Sequence, residues 1–311
     1  MKLTHLRDVL AVSEHGSIRA AGRQLGSTQP AITRSIREIE HELGVTLFER
    51  HAKGVRLTDM GRVFVLRAEA VQSEVRRARD EIEQLKGGMT GEVTVALSTA
   101  SIMSVMPAAM REFRRRYPDA VLKVHESFFQ PIEKDLVSGR IDFYLGPLEE
   151  KTGASQLIVE HLFQNHRLIV ARKGHPLAGA RALDELAGAR WVRPTLSAHI
   201  TEASFEEMFS RAGLPPPNIV MNARSALITM LAIADSDLLT VVPRQWIDLP
   251  LLAGAIEPLS LPRLTAAPIA IVRRMDMPLT PIAEYLCDMM RRVGLQYAHR
   301  HSGEFPAEQA L

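Results

Sequence analysis

The chain has 311 residues, 46% of them hydrophobic and 24% charged, with a formal net charge of +2 and a single cysteine, Cys287. That length exceeds one comfortable hydrophobic core and the composition is that of a folded globular protein, so two or three domains are expected and intrinsic disorder is excluded. One cysteine excludes an intrachain disulfide and a cysteine-rich zinc site. The start Met1 to Leu6 lacks a signal peptide's apolar core and no apolar run is long enough to span a bilayer, which predicts a cytoplasmic protein without membrane partners.

Leu3, Leu6, Val9 and Leu10, then Ala20, Ala21 and Leu25, then Ile32, Ile36, Ile39 and Leu43 recur at helical spacing and predict three short amphipathic helices. Gly16-Ser17 separates the first two and Gly26-Ser27-Thr28 the second and third. Thr28 is a candidate N-cap, and Pro30 falls in the first turn, where its missing N–H costs no helical hydrogen bond. Two helices joined by a tight turn are the geometry that sets the second into a major groove, with Gln29, Thr33, Arg34 and Arg37 facing outward. Gln can pair with adenine and Arg with guanine, and Thr can offer its hydroxyl or its methyl. A solvated polar face would have the same composition, and charge does not decide: residues 1–60 hold nine Lys or Arg against seven Asp or Glu, a local excess of only +2.

Thr46 to Arg50 and Gly54 to Thr58 read as two short strands around a tip at His51-Ala52-Lys53, a wing whose Arg50 and Lys53 would lie beside phosphates. Phe64, Ala68, Val71, Val75, Ala78, Ile82 and Leu85 then alternate in steps of four and three, an apolar seam that predicts a dimerisation helix. The competing possibility is that this seam packs on the chain's own remaining domain. Lys86 to Gly91 supplies helix breakers and a hinge.

From Gly91 onward short β-rich runs alternate with helical stretches, as in open α/β sheets. Ligands of such sheets sit where strands end, which makes Ser98, Thr99, Ser101, Phe128, Phe129, Gly146, Pro147, Arg193, Thr195, Met221 and Pro243 the candidate effector-binding residues. Ser98 and Ser101 serve equally well as helix caps, and the alternative for Arg193 is a surface position. Arg193 with two phenylalanines suggests a small organic anion, an aromatic carboxylate or sulfonate. Histidines are scattered without metal-site spacing, and no nucleophile elbow, phosphate loop or dinucleotide turn is found. An enzyme is therefore not expected, nor a metal or other cofactor.

Gly-Ser-Ile-Arg-Ala-Ala from residue 16, Gln-Pro-Ala-Ile-Thr-Arg-Ser-Ile from 29, Glu-Leu-Gly-Val-Thr-Leu-Phe-Glu-Arg from 42 and Gly-Val-Arg-Leu-Thr-Asp-Met-Gly from 54 together resemble the DNA-binding domain of LysR-type transcriptional regulators. The resemblance implies an α+β multidomain chain. A winged helix-turn-helix spans 1–60, with its helix-turn-helix at 21–40, and a linker helix spans 61–87. A two-lobed, type 2 periplasmic-binding-protein-like effector domain spans 91–297, with lobe one at 91–163 and 268–297, lobe two at 164–267, and a tail from 298. It also implies DNA contact by Thr28, Gln29, Pro30, Thr33 and Arg34, with Thr28 and Thr33 replacing the serine often found there. The implied partners are double-stranded DNA, a small-molecule effector, a second copy through the linker helix extending to a homotetramer, and RNA polymerase as a candidate. Regulators similar in Asp-Leu-Leu-Thr-Val-Val-Pro-Arg belong to a branch handling aromatic acids, sulfonates and sugars. An architectural DNA-binding protein with a vestigial sensor would share the motifs of the first sixty residues.

Overall fold

The computed structural model describes residues 1–51, 54–148, 156–194, 201–249 and 254–301, with the side chains of 201–204 also outside the description. Three helices, α1 (Leu3–His15), α2 (Ile18–Gln24) and α3 (Gln29–Leu43), precede the antiparallel pair β1 (Phe48–His51) and β2 (Gly54–Leu57). Their inward positions, among them Val9, Val12, Ala21, Ile32, Ile39 and Leu47, form one closed core. Two polar devices lock the wing onto it. The Glu40 carboxylate accepts the backbone N–H groups of Leu47 and Phe48 at 2.7 and 3.2 Å. The Thr58 hydroxyl donates to Thr46 O at 2.7 Å and accepts from Gly61 N at 2.9 Å, capping the next helix. A Cβ on Gly61 would lie 2.1 Å from Leu47 O, so only glycine lets that helix approach the wing so closely.

That helix, α4 (Asp59–Leu85), runs 27 residues and uses different faces along its length. Phe64 and Ala68 join the DNA-binding core, so the seam expected from Phe64 onward is divided: its first two members are spent inside the domain. Further along, a polar face grips the sensor. Arg77 Nη2 donates to Asp142 Oδ1 at 2.6 Å and Nη1 to Pro278 O at 3.0 Å, while Asp142 Oδ2 accepts Thr94 N–H at 2.7 Å. Burial pushes the Asp142 carboxyl up, and the Arg77 guanidinium opposes that shift by favouring the ion. Arg140–Glu69, Arg76–Glu92 and the bond from Ile282 N–H to Gln84 Oε1 extend the grip. The apolar residues Val71, Ile82 and Leu85 stay 42%, 54% and 75% exposed.

The sensor alternates strands and helices in chain order: β3 (Glu92–Leu97), α5 (Thr99–Ser104), α6 (Met106–Arg116), β4 (Val121–Glu126), α7 (Phe129–Val137) and β5 (Phe143–Pro147). There follow β6 (Leu157–Arg172), β7 (Arg190–Pro194), α8 (Thr201–Arg211), β8 (Asn218–Ala223), α9 (Ala226–Ala234), β9 (Leu238–Pro243), β10 (Ile256–Pro258), β11 (Leu264–Arg274) and α10 (Pro281–His301). Asp184–Leu186 and Arg244–Trp246 are single 3₁₀ turns. In lobe one β3 pairs in parallel with β4 and β5, and β11 runs antiparallel to β5. In lobe two β7 pairs in parallel with β8 and β9, and β6 runs antiparallel to β9 and β10. Strand alternation sends Val93, Val95 and Leu97 to the core beneath α6 and α10 and Ala96 to the opposite one with Phe129 and Tyr144.

β6 and β11 pass through both lobes. Their ladder is regular from Leu157 to His161 and again around Asn165 to Arg167, but shifts register between Ala266 and Ile269, where Pro268 can donate no bond. This irregularity lies where the two strands pass from one lobe to the other. Cys287 is fully buried in lobe one, and burial pushes its thiol up to about 12, so it is a packing residue rather than a nucleophile. Among the described residues no helix is long and apolar enough to cross a membrane.

Candidate functional site

The first site is a helix face. Thr28 caps α3 by accepting Ala31 N–H at 3.4 Å, Pro30 occupies the first turn, and the Thr33 hydroxyl bonds back to Gln29 O at 2.9 Å. Spacing of three and four then sets Gln29, Pro30, Thr33, Arg34 and Arg37 along one shallow exposed face. Among the described residues the Arg34, Arg37 and Arg50 guanidinium groups have no hydrogen-bonding or ionic partner. The acidic residues of the same helix are occupied elsewhere: Glu38 with His5 at 3.3 Å, Glu40 with the wing, and Glu42 with the N-terminus at 2.8 Å. A positive, hydrogen-bond-rich surface therefore begins at the helix N-terminus. Arg50 is exposed on β1, and Lys53 lies outside the described residues.

The second site lies between the lobes. Ser98, Thr99, Phe128 and Pro147 of lobe one face Asn165, Arg167, Pro243 and Trp246 across a space of about 50 Å³. Ser98 borders the space, and its hydroxyl accepts Ser101 N–H at 3.2 Å as the cap of α5. Thr99 is tied to Glu126 at 2.6 Å. Two polar groups here lack protein partners: Asn165 Oδ1 and Trp246 Nε1 are buried without a hydrogen bond, in residues only 2% exposed. Burial, with Arg263 and Arg244 nearby, holds the imidazole of His166 below its ordinary range.

Five expected residues sit elsewhere, each for a definable reason. Ser101, 1% exposed, turns its hydroxyl to Ser98 at 3.0 Å and does not border the space. Phe129 is one residue into α7 and packs on Tyr144 with ring centroids 5.7 Å apart. Gly146 lies behind Ser98, where a Cβ would meet Tyr144 Oη at 2.2 Å and Ser98 Cβ at 2.8 Å; it leaves room for the site without lining it. Met221 is not a strand end, because β8 continues to Ala223 and its side chain packs against the lobe-two core with Trp246. Arg193 shares the parity of Trp191 and so points to the α8 side of β7. There it donates to Asn222 Oδ1 at 2.9 Å and Glu206 Oε1 at 3.2 Å and borders an adjoining cavity of about 840 Å³, which shares Arg167, Pro194 and Val241 with the cleft. Thr195 lies outside the described residues. Asn165, Arg167 and Trp246 were not expected, since they occur in mid-strand or just past a strand end rather than at one; the polar run Gln164 to Arg167 between apolar runs is the signal that marks the first two, and no such signal marks Trp246.

Two family models match the chain. Residues 3–62 match "Bacterial regulatory helix-turn-helix protein, lysR family" and residues 86–294 match "LysR substrate binding domain". Among curated relatives, the HTH-type transcriptional regulator GbpR of Azospirillum brasilense is 28% identical over 286 residues, covering 90% of this chain and 83% of the relative. TdcA of Escherichia coli (strain K12) is 29% identical over 245 residues, covering 78% and 77%. Among solved structures, the LysR family regulator CbnR superposes with a TM-score of 0.65 at 20% identity, over 94% of this chain and 99% of that one. Full-length CbnR complexed with its target DNA gives 0.64 at 21% identity, over 94% and 100%. These structural likenesses establish the shared fold.

Proposed function

Because this chain belongs to the LysR family of DNA-binding transcriptional regulators, we propose that it reads a spaced, near-palindromic site with two copies of α3 and answers to a small organic anion held between its sensor lobes. It is a regulator with a substrate-binding domain and not an enzyme. The observation that carries the reading is the outward face of α3, where Gln29, Thr33, Arg34 and Arg37 offer base-pairing chemistry and have no competing ionic partners. Thr28 and Pro30 start the helix at the groove, while Arg50, with Lys53, holds the backbone and supplies affinity without sequence information.

Assembly follows from what stays uncovered. The exposed stripe Val71, Ile82 and Leu85 on α4 fits a second copy of the same helix. α9 is apolar all round: Met230 and Ile233 are buried, yet Leu227, Ile228 and Leu231 are 63%, 47% and 62% exposed. A helix of that kind belongs inside an interface, and a second contact through it turns dimers into tetramers.

Ser98, Thr99, Phe128, Pro147 and Pro243, with Arg167 as the cation, form the effector site of this reading. An aromatic carboxylate or sulfonate rested on Arg193 beside Phe128 and Phe129, and only Phe128 borders the cleft, which removes most of the support for an aromatic ligand there.

Arg34→Ala is expected to weaken specific DNA binding by about 1–3 kcal/mol and to relax preference at one base pair. Mobility-shift titrations against a site library measure both, and an unchanged preference would remove Arg34 from the groove. Footprints with and without effector test the sensor: an architectural protein with a vestigial sensor gives identical footprints.

A further inference from the structure

We infer that the last turns of α10 are a clasp between the two sensor lobes, with Tyr297 of lobe one fastened to Asp248 of lobe two, and that this contact sets how readily the lobes part. α10 belongs to lobe one by its packing, since Ile282, Leu286, Cys287 and Met290 are buried in the same core as Val93, Val95 and Leu97. Asp248 belongs to lobe two, two residues beyond Trp246, which is buried with Leu168, Val170 and Val192. The Tyr297 phenol donates to Asp248 Oδ2 at 2.6 Å, across 49 positions of chain. The bond therefore joins two bodies whose cores are separate.

Each part of the clasp is held in place by its neighbours. The buried Tyr297 ring lies against Phe163 of β6, with centroids 5.3 Å apart, at the stretch where the β6 and β11 ladder shifts register. Burial pushes the phenol up, so it keeps its proton and donates it to the carboxylate. His301, one turn further on, shares the same helix face: its ring stacks on Tyr297 with centroids 4.3 Å apart, its Nδ1 lies 2.8 Å from Tyr297 O and its Nε2 lies 3.6 Å from Asp248 Oδ2. From lobe two, Arg244 Nη2 stands 3.9 Å from Asp248 Oδ1. A hydrogen bond to an ionised carboxylate is stronger than a neutral one. The Asp248 side chain is 30% exposed, however, so water competes for it and the contact biases the lobes rather than locking them. A bond made in one arrangement of the lobes and lost in another shifts their balance by its own free energy, and a ligand that distinguishes the two arrangements meets that bias.

The test is pulsed electron spin resonance on the full-length protein with no ligand added, so that the result does not depend on what the cleft binds. Nitroxides go on Gln130→Cys in lobe one and Arg224→Cys in lobe two, both exposed positions, and labelled chains are diluted into unlabelled ones so that distances are read within one copy. Cys287 is buried and takes no label. Tyr297→Phe keeps the ring and removes the donor, and should change the ratio of the two lobe separations by about tenfold in favour of the parted one. Asp248→Ala should do the same, and Asp248→Asn, which keeps an acceptor, should change the ratio less. The double variant Tyr297→Phe with Asp248→Ala should shift the ratio no further than either alone, because both remove one bond. Asp237→Ala breaks the Arg172 ion pair inside lobe two and should leave the distances as they are. Folding of each variant is checked by circular dichroism. An unchanged distance distribution in folded Tyr297→Phe and Asp248→Ala proteins overturns the clasp. So does an additive double variant, or a shift of equal size in Asp237→Ala, either of which would reduce the contact to local packing.

Discussion

Arg77→Ala is expected to destabilise the protein by about 3–5 kcal/mol, because it leaves the Asp142 carboxylate buried with one N–H in place of a guanidinium. Both side chains are nearly inaccessible, at 6% and 5% exposure. Thr94 N–H alone remains on Asp142, and Pro278 O loses its donor as well. Chemical denaturation of the full chain measures the loss, with Arg77→Met paired with Asp142→Leu as the companion. That double variant removes both charges, keeps much of the volume and should lie near the wild type, since a desolvated ion pair contributes little against apolar replacements. A single variant within about 1 kcal/mol of wild type would mean that water reaches Asp142 and that the ion pair does not fasten α4 to the sensor.

Val71→Asp has its largest effect on assembly. The site is 42% exposed, so a carboxylate there is tolerated by one copy alone, but between two copies of α4 it meets its own symmetry mate or an apolar wall. Dimers should dissociate in sedimentation, with the fold retained by circular dichroism. Affinity for a two-half-site operator should fall by about 10²–10⁴-fold, because the second half-site is no longer bound intramolecularly. Affinity for a single half-site should not change. A dimeric Val71→Asp protein would relocate the pairing surface away from this stripe.

The sequence was most informative where local chemistry ends an element. Thr28, Pro30 and Gly44 fix both ends of α3, so the polar face between them was legible from periodicity alone. Strand-end reasoning led to Ser98, Thr99, Phe128, Pro147 and Pro243, which do border one opening. It failed where the deciding fact was not an ending. Arg193 is governed by parity with Trp191, and parity needs to know which face of β7 meets which lobe core. Phe129 differs from Phe128 by one helical step, enough to turn it from the cleft to Tyr144. Asn165 and Arg167 sit inside a strand of 16 residues that serves two lobes, and no terminating signal announces them. The α4 seam was visible in its heptad steps, but its division between the DNA-binding core and an open surface depends on tertiary packing that periodicity cannot assign. Arg77 and Asp142 are 65 positions apart, so nothing local connects them.

The two strands that cross between the lobes have a mechanical consequence. A pair of side-by-side spans resists twist and shear far better than it resists folding along the line where its ladder is broken, as a door on two pins turns only one way. The shift in register at Ala266 to Ile269 draws that line, and Asn165 faces Ala266 on it. Any motion of one lobe against the other would turn about that line and carry groups far from it, such as Ser98, further than Asn165.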